Sequence, residues 1–262
     1  AIFVLEFLSL IILINLIFNK RKKQASSDSH VMREILSFAP NMFFIALSSL
    51  LITQSDRVLI SLYYDLQVLG EYNYFKNFVL GMFVLSGGMF AYLYPTLSSL
   101  FLTNNWKKIR SNCKIISSVI CWLVFPTGIL LIFTANNFFD FFISQQVNFV
   151  FKKEILIVLI LGTILNLLWM VPYAVQLASG LTFIPLIINL IFAPITIAFT
   201  WLGFEHLGTL SAPIIYLIYN ICMLIFGCLL IDKHIPQINF VNLFFVSIYK
   251  PTLFGLSFFF LY

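Results

Sequence analysis

The chain has 262 residues, of which 61% are hydrophobic and only 10% charged, with a formal net charge of +5. A soluble domain carries about 25% charged and about 45–50% apolar residues, so a water-clothed globular protein is excluded. The helices must face lipid, where the backbone bonds internally and side chains need no water, and the 31 phenylalanines suit that role.

Apolar stretches of spanning length recur at about 2–18, 36–55, 76–101, 115–135, 154–176, 182–202, 210–231 and 243–262, each near the ~20 residues needed to cross ~30 Å of hydrocarbon. The expected fold class is therefore an all-α polytopic membrane protein with about eight transmembrane helices. The first stretch has its charges after it, at Lys20, Arg21, Lys22 and Lys23. A secretory signal has them before its apolar core, so this stretch is a span ending on the cytoplasmic side. The chain starts at Ala1 inside one apolar stretch and stops at Tyr262 inside another, as a fragment of a larger protein would.

Basic residues gather in alternate gaps. The first gap holds Lys20–Lys23 and Arg33, the third Lys107, Lys108, Arg110 and Lys114, and the seventh Lys233. The intervening gaps hold Arg57, Lys152 and Lys153, with Lys76 at the edge of a span. The excess assigns the odd gaps to the cytoplasm. Because the charge is spread over separate loops, a nucleic-acid patch is a poor alternative. The polar segment from Lys20 to Arg33 is expected to be a cytoplasmic linker. The resulting organisation is a span at 1–18, a linker at 19–35, a helical bundle at 36–232, and a loop with the start of a further helix at 233–262. Cys113, Cys121, Cys222 and Cys228 show no C-x-x-C or zinc-like spacing and are expected as small apolar helix residues. No metal or cofactor is expected.

Prolines fall in or beside the spans: Pro95, Pro126, Pro172, Pro185, Pro194 and Pro213. Each removes a backbone donor, and such breaks are tolerated where they line a cavity or pack on protein.

Polar side chains form stripes at helical spacing. Asn73, Lys76 and Asn77 lie at i, i+3 and i+4, with Gly81 one turn on. Asn166, Trp169, Tyr173 and Gln176 form a second stripe, Asn189, Thr196 and Thr200 a third, and Tyr216, Tyr219 and Asn220 a fourth. Single amides and hydroxyls in membranes are commonly interhelical glue. Four stripes of the same character suggest a shared water-filled cavity, with amides for sugar hydroxyls and aromatic rings for flat faces. Lys76 either faces such a cavity, where an anionic group would meet it, or snorkels to the outer interface. Arg57 either anchors locally on Asp56 or offers its planar fork to phosphate. Asp140, Glu205 and His206 are expected in short, solvated outer loops. There is no G-x-S-x-G, H-E-x-x-H, P-loop or Asp-rich metal motif, so the chain is not expected to be an enzyme.

Three further runs carry a family resemblance: Phe38-Ala39-Pro40 opening a span, Thr53-Gln54-Ser55-Asp56-Arg57-Val58-Leu59-Ile60, and Leu69-Gly70-Glu71-Tyr72-Asn73. With Pro95 ending the next helix, the basic loop after it and Leu207-Gly208-Thr209-Leu210-Ser211-Ala212, they resemble bacterial polysaccharide flippases. These are the Wzx-type O-antigen exporters of the MOP superfamily, and the resemblance spans residues 30–232. It implies two six-helix bundles around a central cavity, of which this chain holds the last helix of the first and the whole second. It also implies flipping of undecaprenyl-diphosphate-linked oligosaccharide from the cytoplasmic to the periplasmic leaflet of the inner membrane, for lipopolysaccharide O-antigen synthesis, by alternating access.

The expected partners are thus that lipid-linked oligosaccharide, membrane lipids and a coupling ion, proton or sodium. Arg57 and Lys76 match the region where the family carries cavity-facing cations. The expected substrate-binding residues are Arg57, Asn73, Lys76, Asn77, Asn166, Trp169, Tyr173, Tyr216 and Asn220. Two rivals stand. A multidrug or lipid II transporter of the same superfamily would call for an acidic site in the cavity, and no buried carboxylate is expected in this bundle. A membrane O-antigen polymerase would call for a large polar outer loop, whereas the stretch at about 136–153 is mostly apolar.

Overall fold

The computed structural model describes residues 29–142, 153–247 and 249. The chain divides into two compact units, Ala1–Phe43 and Phe44–Tyr262. Of the first unit, residues 29–43 are described and form the opening turns of helix α1. The expected span at 2–18, most of the linker and the last helix beyond 249 lie outside the described residues.

Among the described residues the fold is all helix: α1 Ser29–Tyr63, α2 Leu66–Leu102, α3 Trp106–Phe142, α4 Lys153–Ala178, α5 Phe183–Leu207 and α6 Ser211–His234. A 3-10 turn, Gly208–Leu210, joins α5 to α6, and residues 240–247 are helical again. Pro40–Tyr63, Trp106–Ala135, Lys153–Ala178 and Phe183–His234 are each long and apolar enough to cross a membrane, and α2 makes a fifth if its two bent halves count as one span. Phe183–His234, at 52 residues, is more than twice the ~20 a span needs, and it folds back on itself. The Phe183 ring meets the His234 ring at 5.5 Å, and Phe192 meets Tyr219 at 6.0 Å. The fold-back is tight because Gly203 leaves room for Ser211, whose hydroxyl donates to the Thr200 carbonyl at 2.9 Å. Gly208, with φ 58°, takes the left-handed conformation at the turn that glycine adopts without strain. The chain is a multi-pass membrane protein.

The helices alternate direction. Tyr63 at the end of α1 packs on Phe204 near the end of α5, ring to ring at 5.2 Å. At the opposite end, Arg110 of α3 bonds the Gln237 carbonyl after α6. Lys107, Lys108, Arg110, Lys114 and Lys233 all lie at that second end, as the alternation in the sequence requires.

Helix boundaries depart from the expected ones in physically simple ways. α1 begins at Ser29, inside the segment assigned to the linker. α3 runs to Phe142, so Asp140 is helical and the expected outer loop from 136 is helix for its first turns. Glu205 and His206 are exposed in the last turn of α5 rather than in a loop. A hydropathy window stops at the edge of the hydrocarbon, but a helix need not: 37 residues rise to about 55 Å. The bend in α2 does not fall at its proline. The bend recorded within α2 is 46°, between Val84 and Ser86, beside Ser86, Gly87 and Gly88. Small residues with weak helix propensity permit such a kink, while Pro95 lies nine residues further on. Pro185 and Pro213 sit in the first turns of α5 and α6, where the missing N–H would have no partner in the helix.

The core is built around α4. Sixteen of its residues are buried, and it packs on α2, α3 and α6. The α4–α6 contact is made by rings set against glycines. A Cβ on Gly227 would lie 1.8 Å from the Trp169 ring, and one on Gly162 would lie 2.7 Å from Tyr216. Close backbone approach through small residues is how membrane helices gain dispersion energy without a hydrophobic drive. The cysteines are free thiols, with Cys113, Cys121 and Cys228 buried.

Gly227→Ala should therefore overpack the α4–α6 seam by about 1–3 kcal/mol. Thermal unfolding in detergent should shift several degrees down, and adding Trp169→Leu should recover part of the loss.

Candidate functional site

The polar faces of α1, α2, α4, α5 and α6 converge on a cavity of about 350 Å³. Its wall holds Asp56, Arg57 and Gln54 from α1 and Lys76 from α2, with Thr163 and Asn166 from α4, Thr196 and Thr200 from α5, and Tyr216 and Tyr219 from α6. A second cavity of about 350 Å³ adjoins it and shares Thr53, Phe83, Asn166 and Tyr219. This one adds Ser49, Trp169, Tyr173 and Asn189. On α1, Arg57 and Ser49 are eight residues apart, about 12 Å along the axis. Charge thus stands at one end of a polar track, and amides, hydroxyls and rings at the other.

At the charged end, Asp56 is the organising group. Lys76 Nζ donates to Asp56 Oδ2 at 2.6 Å and to the Thr53 carbonyl at 2.6 Å. The Tyr72 hydroxyl donates to the same carboxylate oxygen at 2.6 Å, and the Arg57 backbone N–H to Oδ1 at 2.7 Å. Tyr72 and Lys76 are one helical turn apart on α2, so both reach the same carboxylate. The side chains of Lys76 and Asp56 are 16% and 12% exposed. The two alternatives for Lys76 are thereby decided: it turns inward to a partner and does not snorkel outward. A charge at this depth is tolerated when it is paired.

Two expectations are corrected here. Asp56 does not anchor the Arg57 guanidinium. That group reaches Asn77 Oδ1 at 3.2 Å and Gln54 Oε1 at 3.4 Å, because Asp56 is already occupied by Lys76 and Tyr72. Buried carboxylates are present as well: Asp56 is 9% and Glu71 8% exposed. The expectation that the bundle has none counted Asp56 as a helix-end residue, whereas α1 continues about two turns beyond it, to Tyr63.

The remaining site residues divide. Asn166, Trp169, Tyr173 and Tyr216 line the cavities. Trp169 offers only an edge, since it is 7% exposed and packed on Gly227. Tyr173 stacks on Phe90 with centroids 5.9 Å apart. Asn220 is fully buried behind the wall, accepting from Asn166 Nδ2 and donating to the Tyr216 carbonyl, both at 2.8 Å. It is glue in the α4–α6 seam, as Gln176 is through its bond to the Gly227 carbonyl. Asn77 is reached from the site by Arg57 alone. Asn73 is not on either cavity wall, and its Oδ1 is buried without a hydrogen bond among the described residues.

The expected substrate-binding set left out Asp56, Tyr72, Asn189 and Tyr219, although the last two stood in the polar stripes. Asp56 and Tyr72 were detectable from the Tyr–Lys spacing at i, i+4 opposite a lone acid. Asn189 donates to Ser49 at 2.9 Å and accepts from Tyr219 at 3.1 Å, tying α1 to α5 and α6. Nothing in the sequence pairs Ser49 with Asn189.

Fold and site together define a multi-pass helical membrane protein with a polar internal cavity whose wall carries a neutralised ion pair. A family model for polysaccharide biosynthesis proteins matches residues 3–152. The match covers more than half of the 262 residues, and the chain belongs to this family, with a role in polysaccharide synthesis. The runs at 38–40, 53–60 and 69–73 that carried the resemblance lie inside the match, and the late run at 207–212 lies outside it. None of the curated proteins and none of the solved structures matches the chain.

Removing one partner of a buried pair strands the other, at about 3–5 kcal/mol. Lys76→Met alone should thus lower the unfolding midpoint in detergent sharply, and Lys76→Met with Asp56→Asn should regain most of it. Equal losses in the single and double variants would mean that the two residues do not act as a pair.

Proposed function

We propose that the protein is a flippase for undecaprenyl-diphosphate-linked oligosaccharide units, acting in the bacterial cytoplasmic membrane for surface polysaccharide synthesis. The observation that carries this reading is the division of the cavity: cations at one end, and amides, hydroxyls and rings at the other. A diphosphate-linked sugar has the same division.

In the unloaded state Asp56 serves as an internal counter-anion for Lys76. An arriving diphosphate competes with that carboxylate for the ammonium, and its charge makes it an effective competitor. Arg57 offers a second donor, because its Nε is buried without a hydrogen bond among the described residues. The sugars then lie along Asn166, Tyr219, Asn189 and Tyr173, with the edge of Trp169 as a flat apolar contact. Binding and release amount to an exchange of anions at Lys76, with Asp56 keeping its bonds from the Tyr72 hydroxyl and the Arg57 backbone N–H. A coupling ion, proton or sodium, would meet the carboxylate of Asp56. Its assignment rests on analogy with other transporters.

A multidrug exporter of the same architecture is the second reading, and buried Asp56 is the observation that favours it. Against it stands the condition of Asp56, which already accepts from an ammonium, a phenol and a backbone N–H. That leaves little capacity for a cationic drug.

The test uses the full-length parent, deleted and then complemented. The assay reads how much lipid-linked oligosaccharide a periplasmic enzyme can reach. Deletion should trap complete units on the cytoplasmic side. Arg57→Gln should cut translocation about tenfold to a hundredfold, as expected for losing a charge-assisted bond, at unchanged protein level. Translocated but unpolymerised units on deletion would point to a polymerase. Normal polymer with altered drug tolerance would point to the exporter.

A further inference from the structure

A further cleft lies at the other end of the helices, away from the ion pair. It has a volume of about 740 Å³ and is formed by the start of α3 and the segment following α6. Lys107, Arg110 and Lys114 lie at i, i+3 and i+7 along α3 and line one side, as spacing on a single helical face dictates. Asn239 and Asn242 add amides on the other side, and Leu243 and Val246 give it an apolar lip.

This cleft is built, not incidental. The carboxylate of Asp232 accepts the backbone N–H groups of Phe240 and Val241, which caps the helical stretch that begins there. Arg110 bonds the Gln237 carbonyl. Ile235 and Ile238, 7% and 1% exposed, plug the segment into the core. The loop facing the cations is thus held at three points. The cations are left available: Lys107 and Lys114 are exposed, and neither side chain has a partner among the described residues. Among the described residues no acidic one lines the cleft, and the nearby Asp232 is occupied by its two N–H donors.

Positive charge at a cytoplasmic helix end is required by topology alone, and a solvated face would satisfy that rule. A concave site adds what topology does not need: convergent cations, amide donors and an aliphatic lip, with Trp106 on the wall. Cations with amides suit a phosphate, and an apolar lip beside them suits the start of an acyl chain. Basic pockets between membrane helices on the cytoplasmic side hold anionic headgroups for this reason.

We propose that the cleft between α3 and the post-α6 segment binds the phosphate of an anionic lipid in the leaflet it faces, through Lys107 and Lys114, with Arg110 fixing the opposite wall. The inference does not depend on the flippase reading, since any anionic lipid of that leaflet carries the needed phosphate.

The test uses the purified full chain in phosphatidylcholine nanodiscs, titrated separately with phosphatidylglycerol and with undecaprenyl phosphate. Retained lipid is read by native mass spectrometry. Lys107→Gln/Lys114→Gln should weaken lipid-phosphate binding on the order of tenfold to thirtyfold, with unchanged thermal unfolding in lipid-free detergent. Lys108→Gln/Lys233→Gln removes the same charge at the same end but outside the cleft, and should leave binding nearly intact. A preference for phosphatidylglycerol would identify bulk phospholipid as the source, and a preference for undecaprenyl phosphate would identify the polyprenyl carrier. Either supports the site. Equal losses in the two double variants would overturn it as diffuse surface charge. So would full competition by inorganic phosphate at concentrations equal to the lipid, or wild-type binding in the cleft variant.

Discussion

A carboxylate and an ammonium at membrane depth must neutralise one another, and this constraint sets the geometry of the site. Asp56 and Lys76 belong to consecutive helices, and their 2.6 Å contact fixes how α1 faces α2 across the cavity. Tyr72 and the Thr53 carbonyl complete the set, so both charges find further polar neighbours. Pairing alone is a weak source of stability at such depth, because desolvation offsets most of the Coulomb gain. What the pair supplies is specificity. It ties α1 to the wall at one position and keeps the cations from seeking the interface.

The two sides of the structure therefore cohere by different means. Around α4 the contacts are dry: Trp169 on Gly227, Tyr216 on Gly162, and a continuous apolar core. Along α1 the cavity wall adds polar contacts, namely Asp56 with Lys76 and Tyr72, Arg57 with Asn77, and Asn189 with Ser49, beside the apolar seat of Ile52 near Trp169. Dry packing through small residues resists separation, because any gap forfeits dispersion contacts outright. Polar contacts can be exchanged for others of the same chemistry, with water or a ligand taking the place of the lost partner. A cavity bounded on one side by a rigid seam and on another by exchangeable bonds can admit a polar solute without unpacking its core.

Much of this was legible in the sequence, for a physical reason. Lipid imposes a coarse code of apolar length, alternating basic loops and polar stripes, and α1 to α6 follow it. Asn166, Tyr173 and Tyr216 line the cavities, as their stripes suggested, and Lys76 takes the inward one of its two alternatives. What the code omits is whatever depends on which helix faces which. Asn220 shares a stripe with Tyr216 and Tyr219, yet it lies behind the wall, because α4 approaches on that side and supplies Asn166. Asp56 looked like a helix-end residue because hydropathy falls at Gln54. The helix itself continues to Tyr63, and backbone hydrogen bonding, not hydropathy, decides where it ends.

The basic residues make the same point from the other direction. Lys107, Lys108, Arg110, Lys114 and Lys233 gather at one end, where water screens them and the positive-inside rule accounts for their number. Lys76 and Arg57 cannot be explained that way. They lie at the opposite end, on the wall of an internal cavity between apolar helices, where a free cation is disfavoured. Each is retained with its own set of acceptors: Asp56 and the Thr53 carbonyl for one, Asn77 and Gln54 for the other. The acceptors of Arg57 are neutral amides, which leave the guanidinium charge uncompensated, whereas Lys76 is compensated in full by Asp56. The wall therefore carries two cations against one carboxylate and keeps a net positive charge.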